Sequence, residues 1–106
     1  MKTLKFKHDF VKEILAGRKN TTWRLFDDKD LQINDELDLI DSENGNGFGK
    51  AKITNVIERT IKNLTDEELK NHQYINKEAM LESHKKYYGD KVNLDTAVKI
   101  ITFELL

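Results

Sequence analysis

The strongest constraint on the fold is the turn sequence Asn-Gly-Asn-Gly at positions 44–47. Asparagine and glycine accept the positive φ angles of hairpin turns at little steric cost. Leu37 and Leu39 alternate with acidic residues before the turn, and residues 48–57 supply a returning strand, so the pattern predicts a β-hairpin. On the returning strand we expect one face to carry Ala51, Ile53 and Asn55. The Gly-x-Gly-x-Gly spacing at 45–49 belongs to this turn, because a phosphate loop requires a different spacing and a following helix.

Other segments add elements on both sides of the hairpin. Residues 3–6, 21–25 and 98–105 alternate as strands do. A helical stripe formed by Phe10, Val11, Ile14 and Leu15 ends at Gly17. Thr65 and Glu68 form a capping box that starts a short helix. A longer helix is expected at 77–88 after the N-cap Asn76, with a buried side that contains Met80, Leu81, His84, Tyr87 and Tyr88 and a stop at Gly89. The sequence therefore predicts one α+β domain over residues 1–106, with a mostly antiparallel sheet or small barrel.

Composition excludes several kinds of chemistry. The chain has no cysteine, which excludes disulfides, thiolate metal sites and a cysteine nucleophile. Its three histidines, His8, His72 and His84, lack the spacing of a metal motif, so we expect neither a metal nor a cofactor. No apolar run is long enough for a signal peptide or a membrane span, so we expect a cytoplasmic protein with no membrane partner.

Charge is distributed unevenly along the chain. Residues 1–24 carry seven basic and two acidic side chains, a balance of +5, whereas residues 27–45 carry one basic and eight acidic side chains, a balance of −7. The basic third of the chain could dock a polyanion. Alternatively, the two blocks neutralise each other in the fold, or the acidic block is a protein-interaction surface.

The segment 18–24 concentrates the residues most suited to ligand binding. Two of only three arginines, Arg18 and Arg24, lie within these seven positions. A guanidinium offers a planar fork of donors that suits phosphate, carboxylate or base edges. Strand alternation places Thr22 and Arg24 on one face, with Lys19 in the preceding turn, so the three side chains can converge on one ligand.

Two local alternatives stay open at this segment. Arg24 could instead pair with an acid among residues 27–30, with Thr22 acting only as a strand former. Trp23 lies on the opposite strand face, where it could either pack in the core or stack on a base.

The ordered motifs resemble an ASCH domain across nearly the whole chain. They are ILAGRK, TTWR, Asn34-Asp35-Glu-Leu, FGKAKITNVI, LTDEEL, KYYGD and VKIITFEL. The resemblance implies a PUA-like β-barrel with flanking helices, and a cleft into which Lys19, Thr22 and Arg24 project. It also implies an RNA, nucleotide or modified-nucleoside ligand.

One branch of similar length, a bacterial acetylcytidine amidohydrolase, uses a lysine, a threonine and a glutamate. Lys19 and Thr22 match the first two, while His72 stands in the place of the glutamate. Glu67, Glu68 or Glu78 could supply a carboxylate instead. The resemblance thus implies a ligand-binding cleft lined by Arg18, Lys19, Thr22 and Arg24, with amide hydrolysis through Lys19, Thr22 and His72 as the alternative function.

Overall fold

The computed structural model describes residues 2–26, 29–71 and 74–106, with the backbone alone at Asn71. Its strands are β1 (Lys2–Phe6), β2 (Thr21–Leu25), β3 (Glu36–Asp41), β4 (Gly47–Thr60) and β5 (Ala97–Leu105). Its helices are α1 (His8–Leu15), α2 (Asp66–Asn71) and α3 (Lys77–Tyr88), with short 3₁₀ turns at Ile61–Asn63 and Gly89–Lys91. The strands form one sheet in the order β1-β3-β4-β5-β2, in which only the β1–β3 pair is parallel. This curled half-barrel with helices confirms the predicted α+β, PUA-like class.

The predicted hairpin joins β3 to β4. Gly45 has a φ of +75°, its amide donates to the Asp41 carbonyl at 2.8 Å, and the Asn44 side chain accepts from the Asn46 amide at 2.9 Å. Strand β4 extends three residues beyond the predicted end at Ile57. The expected facing of Asn55 is wrong: the register with β5 shifts between Ile53 and Asn55, which leaves Asn55 exposed. A bulge of this kind offsets the alternation by one residue.

Two apolar clusters fill the fold. One, from β1, α1, the hairpin and β5, contains Leu4, Phe6, Ile14, Leu37, Leu39, Ile53 and Phe103. The other joins β2 and β5 to the α2–α3 region and contains Trp23, Leu25, Leu69, Met80, Val98 and Ile100. Trp23 is thus a core residue, and burial of Leu69 and Met80 fixes α2 and α3 against β2 because apolar area removed from water stabilises the contact.

A tight turn follows helix α1 and connects it to β2. Gly17 has a φ of +79°, and the amides of Arg18 and Lys19 both donate to the Glu13 carbonyl, at 2.9 and 3.1 Å. The predicted apolar stripe of this helix is only partly buried: Ile14 is covered, whereas Phe10 is 40% exposed and Leu15 52% exposed.

The predicted caps of the other helices are confirmed. Glu68 accepts from the Thr65 amide at 2.9 Å while its own amide donates to the Thr65 hydroxyl at 3.1 Å. Asn76 accepts from the Ala79 amide at 2.8 Å. On α3 the expected burial of Tyr87 and Tyr88 is wrong, since both side chains are exposed in the last turn of the helix. Among the described helices, none combines the length and apolarity needed to cross a membrane.

Candidate functional site

A cavity of about 720 Å³ lies between residues 10–23 on one side and the α2–α3 region on the other. We call it the Lys19 cleft. Its floor comes from β2 and β5. One side comes from α1 and the following turn, and the other side from α2, α3 and Tyr74, which lies between these two helices. The lining residues are Phe10, Glu13, Arg18, Lys19, Asn20, Thr21, Thr22, Trp23, Glu68, Tyr74, His84 and Ile100.

Lys19 places an ammonium inside the cleft. Its Nζ lies 4.7 Å from the centroid of the Phe10 ring and donates to the Thr21 carbonyl at 3.0 Å. Burial, with a smaller contribution from the positive charge of Arg24, lowers the pKa of Lys19. Within the described ranges no carboxylate is hydrogen-bonded to this amine. A lysine with a lowered pKa supplies a larger fraction of neutral amine, which is the form that accepts a proton.

Thr22 and Arg24 share one strand face, as predicted, but Thr22 is buried whereas Arg24 is partly exposed. Thr22 is only 4% exposed, and its Oγ1 accepts from an Nη of Arg24 at 2.5 Å. The guanidinium also donates to the Trp23 carbonyl at 3.0 Å and to the Lys5 carbonyl on β1 at 2.8 Å. It therefore bridges β1 and β2, the two edges of the half-barrel, while it also donates to the Thr22 hydroxyl. Arg24 is not among the described residues that line the cleft.

Arg18 lies on the rim of the cleft. Its Nε donates to Glu13 Oε2 at 2.6 Å and an Nη donates to Glu13 Oε1 at 3.2 Å. Glu13 thus engages the guanidinium fork in bidentate fashion, and this ion pair raises the pKa of Arg18 and lowers that of Glu13.

The carboxylate in the cleft wall opposite the turn is Glu68. Burial raises its pKa, but hydrogen bonds from Thr65 and the nearby Arg59, whose Nε lies 3.4 Å from Oε2, lower it by more. Glu68 is therefore an anion as well as a helix cap.

Glu67 and Glu78 are exposed and lie outside the cleft lining. His72 falls outside the described residues, as do Asp27 and Asp28, two of the alternative partners for Arg24.

An aromatic wall completes the cleft, and sequence reasoning missed it. The ring centroids of Trp23 and Tyr74 lie 5.6 Å apart, and those of Tyr74 and His84 lie 6.0 Å apart. The His84 Nδ1 lies 3.0 Å from the Met80 carbonyl. Because a carbonyl only accepts, this nitrogen carries the proton, so the neutral ring keeps Nε2 as an acceptor.

Outside the cleft, the fold joins parts of the two charged blocks. Because β1 runs beside β3, Lys2 pairs with Asp35 at 2.7 Å, and His8 lies 2.6 Å from Asp41 and 3.3 Å from Glu43. The hydrogen bond to Asp41 raises the pKa of His8 and lowers that of Asp41. One imidazole nitrogen of His8 and one carboxylate oxygen each of Asp41 and Glu43 lie within 4.8 Å of one another, and atoms of these types can ligate a metal ion. Spacing along the sequence could not reveal this group, because its histidine begins α1 whereas its carboxylates lie at the end of β3 and in the following turn.

The fold has clear counterparts among solved structures. No protein-family model matches the sequence, and no curated protein sequence matches it. An ASCH domain from Lactobacillus crispatus superposes with a TM-score of 0.64 at 14% identity, covering 90% of this chain and 69% of that one. An ASCH protein from Zymomonas mobilis gives 0.62 at 11% identity, covering 97% and 68%. A Pyrococcus furiosus protein of nearly equal length gives 0.64 at 17% identity, covering 99% and 96%. The chain therefore has the PUA-like fold of ASCH domains.

Proposed function

We propose that the Lys19 cleft binds a modified nucleoside. The observation that carries this proposal is the combination, in one cavity of about 720 Å³, of aromatic side chains with hydrogen-bonding ones. Tyr74 and His84 offer faces on which a base can stack. Lys19 and Thr22 offer donors for its carbonyl oxygens, and the His84 Nε2 offers an acceptor. Cavities of this size and mixed lining are typical of small-molecule sites.

The charges of the lining favour a nucleoside over an RNA strand. Arg18 and Lys19 are balanced by Glu13 and Glu68, and the Arg18 guanidinium is engaged by Glu13. A polyanion-binding groove instead presents an excess of cations to the phosphates. The pairing of Lys2 with Asp35 also reduces the positive field of the basic segment.

The binding test is an NMR titration of ¹⁵N-labelled protein with cytidine, N4-acetylcytidine and a short single-stranded RNA. We expect the acetylated nucleoside to shift the amides of Lys19, Thr22 and Tyr74, and Lys19→Met to weaken binding at least about tenfold, the usual value of a charged hydrogen bond. The matched control is Lys50→Met, an exposed lysine on β4 outside the cleft. Binding of RNA alone, or binding that Lys19→Met leaves unchanged, would contradict the proposal.

Amide hydrolysis is a second candidate for the same cleft. The observation that favours it is that three suitable groups line the same cleft. They are the amine of Lys19 with its lowered pKa, the buried Thr22 hydroxyl that accepts from Arg24, and the carboxylate of Glu68. Glu68 would provide the negative charge that the amidohydrolase branch takes from its glutamate. Glu68 lies in a helix cap, whereas the position that corresponds to the glutamate of that branch is occupied by His72.

The proposed reaction uses Thr22 as nucleophile and Lys19 as base. Neutral Lys19 accepts the Thr22 hydroxyl proton while Oγ1 bonds to the acyl carbon, and Lys19 returns that proton to the nitrogen as the C–N bond breaks. Water then attacks the resulting ester, passing one proton to Lys19. The C–O bond to Oγ1 breaks, and Oγ1 recovers the proton. The products are a free amine and a carboxylic acid.

Chromatography of N4-acetylcytidine incubations tests this reaction. We expect release of cytidine and acetate, lost in Thr22→Val, with Glu68→Gln retaining the helix cap but lowering the rate. Absence of cytidine at high protein concentration would refute hydrolysis, and release that persists in Thr22→Val would refute Thr22 as the nucleophile. Nucleoside binding would still stand on its own titration.

A further inference from the structure

The Arg24 side chain is held in a way that defines what the Thr22 hydroxyl can do. A hydroxyl has one proton to donate and two lone pairs with which to accept. Arg24 occupies one lone pair of Thr22 Oγ1 at 2.5 Å. A guanidinium has no acceptor, so the Thr22 proton cannot be directed back at Arg24.

The hydroxyl proton of Thr22 is consequently available for donation, to a bound ligand or to neutral Lys19. In the described parts of the chain, Thr22 Oγ1 has no hydrogen bond other than the one from Arg24. Thr22 lines the Lys19 cleft, whereas Arg24 is not among the described lining residues. The remaining directions around Oγ1 thus include the cleft.

We propose that Arg24 is a positioning residue that makes the Thr22 hydroxyl a hydrogen-bond donor directed at an acceptor atom of the bound ligand. This inference deepens the proposed function and rests on it for the identity of the ligand. A cation bound at Oγ1 strengthens the outgoing O–H donor, because it withdraws electron density from the oxygen. The same bond would stabilise negative charge that develops on Oγ1 if Thr22 acts as a nucleophile.

Arg24 also bridges β1 and β2 through the Lys5 carbonyl, so loss of binding in one Arg24 variant would not separate positioning from folding. The test is therefore a double-mutant cycle of Arg24→Lys and Thr22→Val, measured as the affinity for N4-acetylcytidine. Lysine keeps the positive charge but lacks the planar fork of donors. Amide NMR spectra and thermal unfolding of each variant report whether the fold is retained.

We expect Arg24→Lys to weaken binding about tenfold with Thr22 present and to change it less than twofold in the Thr22→Val background. A control cycle pairs Arg24→Lys with Thr21→Val, the neighbouring threonine whose hydroxyl donates to Asn20 rather than accepting from Arg24. That cycle should be additive. An equal effect of Arg24→Lys in both Thr22 backgrounds would overturn the inference.

A ligand-free measurement separates this inference from the proposed function. In the free protein, the Arg24 Nη–H resonances should shift in Thr22→Val and stay in place in Thr21→Val. If wild-type protein binds no nucleoside, the proposed function fails while this shift still supports the Arg24–Thr22 bond. If the Arg24 resonances do not respond to Thr22→Val, the inference fails whether or not a nucleoside binds.

Discussion

Replacing Thr22 with valine should measure the hydrogen bond at the base of the cleft as a change in stability. Valine has nearly the same shape and keeps the strand preference of a β-branched residue. The substitution removes a charged hydrogen bond at a site that is 4% exposed, a loss of about 1.5–3 kcal/mol. The more apolar side chain offsets part of this, and Arg24 keeps its bonds to two carbonyls, so we expect a net loss of about 1–2 kcal/mol.

The assay is urea unfolding followed by tryptophan fluorescence, with thermal melts as a second measurement. For a domain of this size, the expected loss lowers the melting temperature by about 5–15 °C. Thr21→Val is the matched control, because the Thr21 hydroxyl makes only a 3.2 Å bond to Asn20 in an exposed setting. It should change the free energy of unfolding by less than about 0.5 kcal/mol. If the two variants are equally stable, the reasoning about the Arg24–Thr22 bond is refuted.

Three further predictions concern other parts of the chain. Asn76→Ala should cost about 1 kcal/mol of unfolding free energy through loss of the α3 cap, whereas Asn76→Asp should be close to neutral in the same urea titration. His8→Gln should lower stability at pH 6, where the raised pKa of His8 keeps it protonated beside Asp41, and the difference in urea midpoint should vanish as the pH rises through that pKa. A difference that persists at pH 9 would rule out this ion pair as its source. Tyr74→Leu should weaken nucleoside binding tenfold or more through lost stacking, measured by NMR titration, while the exposed Tyr87→Leu should not.

The sequence alone determined the features that depend on neighbouring residues. The hairpin at residues 44–47, the turn at Gly17 and the caps at Thr65 and Asn76 were all predictable, because each is set by bonds between residues at most four apart or by a positive φ. The common face of Thr22 and Arg24 followed from strand alternation in the same way.

Tertiary structure decided which of these residues share a site. Packing of Leu69 and Met80 against the β2 side of the sheet brings Glu68, Tyr74 and His84 to the Lys19 cleft, although they lie about 50 or more positions from Lys19 in the sequence. No local periodicity encodes that contact, since it depends on how the apolar faces of separate elements are buried together. Curling of the sheet likewise brings its edge strands close enough for Arg24 to donate to the Lys5 carbonyl. The arginine that the sequence predicted as a ligand-binding residue therefore bonds to the protein itself, including the Thr22 hydroxyl.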